Sequence, residues 1–336
     1  MLRNFSIQIS RRHFAQRRFQ ASSSIVAPRR RSLSTLYDDN DDDDFVLPKT
    51  ALVVGSSGSL GKTLAKYLAQ HQNVQVIGAD VVPPDAKDED DLHGFLTMPL
   101  PTDESTPSSL PELTMALVDG LSRVLSDDQD LDAIISVAGG WEGDPDLPPP
   151  NADDLDRLEG ARQYATTIER MMSKNLYPLL AAGYAAHHFM TDDNGLMVAI
   201  GATPALGTTP GMMGYGLSKV ATHHFVQTLG DMTKKSVTSK TKRKIARRLR
   251  HDLSAGEGDS YLTSLNVVGI LPTTIDTPMN REAMPQADFS QWTKSIDIAK
   301  EIGTWMEQPA LRPHSGSLVK VFPNSHGKGA TFRLIR

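Results

Sequence analysis

Tyr215 and Lys219 stand four residues apart in a stretch of helical pattern, a spacing that projects both side chains from one helix face. An ammonium beside a phenol favours the phenolate. A tyrosine drawn down from its ordinary pKa of about 10 becomes a usable proton donor near neutral pH, and an oxidised nicotinamide would add further positive charge. An ordinary exposed Tyr–Lys pair has the same spacing, so the chemistry needs a partner. Far upstream, Gly55-Ser56-Ser57-Gly58-Ser59-Leu60-Gly61 supplies one. It follows the apolar run Thr50-Ala51-Leu52-Val53-Val54 and opens a pattern in which Leu60, Leu64 and Leu68 recur on one helical face. Strand, glycine turn and helix in that order suit a dinucleotide phosphate, because glycine permits φ > 0 and close backbone approach while the helix start presents free N–H groups. Gly55, Ser57, Gly58, Ser59, Leu60 and Gly61 are therefore cofactor-binding candidates, against a bare tight turn with the same glycine spacing.

The next apolar run, Val74-Gln75-Val76-Ile77-Gly78-Ala79, ends at Asp80, 25 residues beyond Gly55. An acid at that point can hydrogen-bond a ribose 2′-hydroxyl and repel a 2′-phosphate. NADH is accordingly expected over NADPH; the alternative is an Asp that only caps the following turn.

The elements that must position these residues follow from the rest of the chain. Leu131-Asp132-Ala133-Ile134-Ile135-Ser136-Val137, Leu196-Met197-Val198-Ala199-Ile200, Leu265-Asn266-Val267-Val268-Gly269-Ile270-Leu271 and Ser317-Leu318-Val319-Lys320-Val321 read as further strands, with helical segments such as Leu155 to Met190 and Tyr215 to Met232 between them. Alternation of this kind predicts an α/β fold, one doubly wound, mostly parallel Rossmann-type sheet with helices on both faces and a single domain over 48–336. Two stretches read as inserted: 142–154, rich in Pro and Asp, and 231–261, dense in Lys and Arg. The basic stretch lacks interleaved aromatics and reads as a solvated excursion, so no nucleic acid is expected as a partner.

The chain has 336 residues, 39% of them hydrophobic, and a net charge of −5, enough for a sizeable core. Charge is unevenly spread. Residues 1–37 carry Arg3, Arg11, Arg12, Arg17, Arg18, Arg29, Arg30 and Arg31 with no acid, which reads as an organellar transit peptide, mitochondrial first with a plastid left open. A basic tail that binds anionic surfaces is the alternative. Residues 38–47 read as an acidic disordered linker. Without Cys there is no disulfide, thiolate nucleophile or Cys-ligated metal, and no metal site is expected. No apolar run reaches the roughly 18 residues of a membrane span. His187-His188 and His223-His224 are adjacent pairs on helices, where neighbours diverge, so they read as packing or surface residues. Met171, Met172 and Tyr184 read as helix-packing surface at a dimer seam.

From Ala51 to Val321 the sequence resembles the short-chain dehydrogenase/reductase family and, within it, the dihydropteridine reductases. The resemblance rests on the glycine loop and the Tyr–Lys pair, and most specifically on Val137-Ala138-Gly139-Gly140-Trp141, the run Gly207 to Gly216, Asp276-Thr277-Pro278-Met279-Asn280-Arg281, and Met284 to Trp292. It implies NADH-dependent reduction of a quinonoid dihydropterin by a homodimer packed through two long helices. It also implies roles for Ala138 and Gly139 beside the cofactor, for Trp141 against the pterin ring, and for Pro272 and Thr277 near the nicotinamide amide. Tyr215 and Lys219 are the implied catalytic pair, with Lys219 also on the nicotinamide ribose. Ala202 falls where carbonyl reductases of this family have a catalytic Ser, with Thr203 next to it. Asn175 matches the family's proton-relay Asn; it either relays a proton through Lys219 or caps a backbone distortion. Two rivals remain on the sequence, a carbonyl reductase of the same fold and a non-catalytic NADH-binding redox sensor or scaffold.

Overall fold

Apolar residues on consecutive positions of the central strands go to opposite sides of the sheet, and two cores result. In the computed structural model, which describes residues 48–99, 109–126, 129–234, 264–323 and 329–335, β1 (Thr50–Val54) sends Leu52 and Val54 to one core and Ala51 and Val53 to the other. That two-residue alternation with both faces buried is what a central parallel strand requires. The leader over 1–37, the acidic linker over 38–47 and most of the basic stretch, from 235 to 261, lie outside the described residues.

The chain continues through α1 (Ser59–His71), β2 (Gln75–Asp80), β3 (Gly94–Thr97), α2 (Leu110–Val124), β4 (Ala133–Ser136), α3 (Asp154–Asn175), α4 (Tyr177–Phe189), β5 (Leu196–Ile200), α5 (Met213–Lys234) and β6 (Asn266–Leu271). Then come β7 (Ile275–Asp276), α6 (Pro278–Ala283), β8 (Thr293–Lys294), α7 (Ser295–Glu307), β9 (Ser317–Phe322) and β10 (Thr331–Leu334). Eight strands form one sheet in the order β10-β9-β6-β5-β4-β1-β2-β3. Its pairings are parallel except β9 with β10. Helices α1 and α7 fill one core, with Leu64, Leu68, Ile302 and Trp305, while α2, α4 and α5 fill the other, with Leu117, Leu121, Leu179 and Val226. This is the doubly wound, single-domain Rossmann arrangement the strand–helix alternation predicts. Between β1 and β4 the winding reverses direction, which opens a crevice at their carboxyl ends, the usual ligand position in such sheets.

The continuous helix expected from Leu155 to Met190 is two helices. The break falls at Leu176, and Pro178 sits in the first turn of α4, where its missing N–H costs nothing. Met171 also departs from expectation. It is fully buried, because Gly214 on α5 brings the two helices so close that a β-carbon there would lie 3.3 Å from the Met171 side chain. Met172 is partly buried and Tyr184 is exposed. Residues 137–153, including most of the stretch read as an insertion, contain no helix or strand.

Candidate active site

Gly55 follows β1 directly with φ +91°, a conformation that favours glycine. A β-carbon there would also run into the backbone of Ala138, on the loop that leaves β4. At Gly61 a β-carbon would strike the carbonyl of Gly55. The glycines thus close the turn upon itself and let the two loops of the crevice touch. Gly58 is the N-cap of α1 and no side chain caps that end; its first turn holds no acid. The N–H groups of Ser59, Leu60 and Gly61 therefore have neither a helical nor a capping partner and, with the helix dipole, fit a pyrophosphate. The buried Ser56 hydroxyl likewise has no protein partner.

Asp80 is fixed by backbone donors. Its carboxylate accepts from the Ser57 N–H at 2.9 Å and from the Val82 N–H at 3.2 Å, which leaves lone pairs for a ribose hydroxyl. The Ser57 hydroxyl donates to the Val82 carbonyl at 2.6 Å, so that side chain helps hold the same turn. On α1, Lys62 pairs with Asp85 and Asp88 at 2.5 and 3.0 Å.

Across the crevice, Lys219 is buried and its Nζ donates to the Ile200 carbonyl at 2.9 Å, 5.9 Å from the centre of the Tyr215 ring. Burial pushes the Tyr215 phenol up to about 12 and the Lys219 ammonium down to about 8. The expected lowering of the phenol by its lysine is therefore reversed within the protein itself: desolvation outweighs an ammonium held on a carbonyl at this range.

Asn175 is buried at the break between α3 and α4. Its Oδ1 accepts from the Gly140 N–H at 3.0 Å and its Nδ2 donates to the Met171 carbonyl at 3.1 Å. A β-carbon on Gly139 would collide with that Oδ1 and come within 3.5 Å of Lys219 Nζ. Ala138, Gly139, Asn175 and Lys219 thus meet at one place. The side chain of Asn175 is engaged with backbone on both ends.

Ala202 is buried, with 1% exposure. Thr203, whose hydroxyl could have stood in for the missing serine, donates it to the Leu271 carbonyl at 2.8 Å, while its N–H donates to the Pro272 carbonyl at 2.9 Å. Pro272 is thereby tied to the end of β5. Thr277 caps α6 by accepting from the Asn280 N–H at 3.2 Å. Trp141 is 61% exposed at the rim, its indole N–H directed at Met212 Sδ at 3.4 Å.

Several supporting contacts escaped the sequence reading. Asp144 accepts from the Met213 N–H at 2.7 Å and its own N–H donates to the Gly211 carbonyl at 2.8 Å, so it ties the Trp141 loop to the start of the helix that carries Tyr215. Glu142 pairs with Arg170 at 3.2 Å. Arg281 forks onto Asp276 at 2.6 and 2.9 Å and lies over the Phe289 ring, which packs against Trp292. His223 accepts from the Ala202 N–H at 3.1 Å. His223 left a signal in its place one helical turn beyond Lys219, and Asp276, Arg281, Phe289 and Trp292 lie in runs that carry the family resemblance, whereas Asp144 and Glu142 left none. Among the described residues no cluster of His, Cys, Asp or Glu could hold a metal ion, and no helix is long and apolar enough to cross a membrane.

Residues 49–240 match the family model for short chain dehydrogenase. The chain belongs to the short-chain dehydrogenase family. As a family member it is an oxidoreductase that uses NAD(P)(H). It is 27% identical over 274 residues to a dihydropteridine reductase of Dictyostelium discoideum, an alignment that covers 82% of this chain and 94% of that protein. Among solved structures it resembles a short chain dehydrogenase of Salmonella enterica, with a TM-score of 0.55 at 17% identity over 84% of this chain and 98% of the other. A 3-ketoacyl-(acyl-carrier-protein) reductase of Brucella melitensis complexed with NADH gives 0.51 at 13% identity, over 81% and 96%. At such identities these structures speak for the fold.

Proposed function

We propose that the chain is an NADH-dependent reductase of quinonoid dihydropterins. One observation carries the reading: where a ketone reductase presents a hydroxyl, Ala202 has none, and the hydroxyl of adjacent Thr203 is committed to the Leu271 carbonyl. A ketone needs its carbonyl polarised before it accepts hydride. A quinonoid ring is already an electron sink and does not. The name of the Dictyostelium relative supports the same substrate class.

The nicotinamide, when bound, supplies the hydride, and the overall change is quinonoid dihydropterin plus NADH and a proton to tetrahydropterin and NAD⁺. Gly55, Gly58 and the first turn of α1 hold the pyrophosphate, and Asp80 holds the adenosine ribose. Lys219 holds the nicotinamide ribose. Tyr215 delivers the proton from its phenol oxygen, and Trp141 supplies a flat face for the bicyclic ring. NADH is preferred because the fixed Asp80 carboxylate opposes a 2′-phosphate and Lys62, a cation on α1, is engaged by Asp85 and Asp88.

The working form is a homodimer through α3 and α5. In the first half of α3 almost every residue is exposed, Leu155 and Leu158 included, and Met213, Leu217 and Val220 form an exposed stripe on α5. Such a surface wants a partner. Light scattering should give twice the chain mass. Import into mitochondria is proposed for residues 1–37, with a plastid as the other destination; the leader should be removed between about Arg31 and Asp38, and an intact Met1 on the organellar protein would end that claim.

The central test is NADH consumption with freshly generated quinonoid dihydropterin as acceptor. Faster turnover of simple ketones would overturn the substrate.

A further inference from the structure

Two side chains one turn apart on α5 grip the backbone where the chain leaves β5, on either side of Gly201. Lys219 donates to the Ile200 carbonyl at 2.9 Å, and two residues further along the chain His223 Nε2 accepts from the Ala202 N–H at 3.1 Å. Between them Gly201 donates to the Ile270 carbonyl at 2.8 Å, and its α-carbon faces the His223 ring so closely that a β-carbon would come within 2.6 Å of Nε2. The ring therefore fills the space under Gly201 and supplies the acceptor a buried amide needs.

We propose that His223 is a positioning residue for the reaction, a neutral imidazole that fixes the Ala202 turn against β6 and thereby the carbonyl on which Lys219 is aimed. The proposal rests on the reading of Lys219 as part of the site. For Nε2 to accept, the proton must sit on Nδ1, so the tautomer is specified. An imidazolium there would face an N–H with no lone pair to offer and would set a second cation beside buried Lys219. In keeping with this, burial and then the Lys219 charge push His223 down to about 4. A packing residue alone would need the ring's volume but not its lone pair.

That difference makes the test. His223→Gln retains an acceptor near the Nε2 position, whereas His223→Leu retains bulk without one. We expect His223→Gln to keep kcat within about threefold of wild type, and His223→Leu to lose about tenfold or more in kcat and to bind NADH several-fold more weakly by fluorescence, with KM for the pterin little changed. Equal kcat and NADH affinity in folded His223→Leu and wild type would overturn the proposal, as would equal losses in both variants. A second measurement does not depend on the leucine variant folding. In wild-type protein labelled with ¹⁵N-histidine, the resonances absent from His223→Gln should show an unprotonated Nε2 and a protonated Nδ1 at neutral pH; the opposite tautomer or an imidazolium would overturn it. If wild type fails to reduce dihydropterin, the substrate reading falls, while NADH affinity and the tautomer still decide the role of His223.

Discussion

The Asn175 Oδ1 accepts the Gly140 N–H at 3.0 Å, and this bond joins the break between α3 and α4 to the loop that leaves β4 beside the cofactor crevice. With Nδ2 on the Met171 carbonyl, both ends of the amide are occupied by backbone. Asn175→Ala should leave the part-buried Gly140 N–H and the buried Met171 carbonyl without these partners and lower stability by about 2 kcal/mol, with KM for NADH rising because Gly139 and Gly140 are released. Asn175→Asp, which sets a carboxylate against the Met171 carbonyl, should be at least as damaging. Urea unfolding and steady-state kinetics check both. A relay role would instead show as a changed solvent isotope effect at unchanged stability.

How much of this was legible depends on whether a residue answers to local or to tertiary geometry. The glycine loop and the Tyr215–Lys219 pair could be read because each is a rule about a few consecutive residues. The eight-stranded sheet followed from apolar runs, although β3 and β10 escaped, being short and only partly apolar in sequence. Pro178 was a readable signal for the helix break, yet the apolar spacing runs through Leu176 and hides it. Asp144 and Glu142 could not be found, since an acid in a Pro- and Asp-rich loop gives no sign of which helix it will cap. The direction of the Tyr215 shift failed for a physical reason too: sequence shows the neighbouring ammonium but not the burial that outweighs it.

Cofactor choice should turn on Asp80. Replacing it with Ser removes a carboxylate whose repulsion of a phosphate a few ångströms away is worth about 1 to 4 kcal/mol, so relative kcat/KM for NADPH should rise by roughly tenfold or more. The same change frees the Ser57 and Val82 N–H groups, so KM for NADH should rise as well. Kinetics with both cofactors decide it, and an unchanged preference would mean that another segment reads the ribose.

Burial of Lys219 has a consequence for stability against pH. Its folded pKa, about 8, lies below the ordinary 10.5, so between these values the unfolded chain binds more protons than the folded one and stability should rise with pH. Below about 8 both states are protonated and the full cost of burying the charge, about 3 kcal/mol for a shift of this size, is present. Urea midpoints measured from pH 8 to 10 should therefore climb more steeply in wild type than in Lys219→Met. Parallel profiles would show that the ammonium is not desolvated as described.

Restoring a hydroxyl at Ala202 should broaden the chemistry. Ala202→Ser places a donor where a carbonyl oxygen could be held, and such donors contribute on the order of 10²-fold to turnover. Ketone reduction, expected to be weak in wild type, should rise at least about tenfold, while dihydropterin reduction changes little. No gain with any ketone would mean that the crevice, not the missing donor, excludes them.

The proton and the ring should separate cleanly between Tyr215 and Trp141. Tyr215→Phe removes the phenol that the buried site holds at about 12, so kcat should fall by roughly 10²-fold or more, the scale of a lost general acid, with NADH affinity nearly unchanged. The raised value also predicts a spectral signature: NAD⁺, which brings positive charge to the phenol, should shift one tyrosinate transition to lower pH in wild type, and that shift should be missing in Tyr215→Phe. Trp141 is exposed at the rim, outside the phosphate loop, with its indole N–H directed at Met212. Trp141→Ala should therefore raise KM for the pterin several-fold and leave NADH affinity alone. If Trp141→Ala instead weakens NADH while the pterin KM holds, the indole belongs to the cofactor's half of the site and the ring needs another platform, for which Arg281 stacked on Phe289 is the nearest alternative in kind.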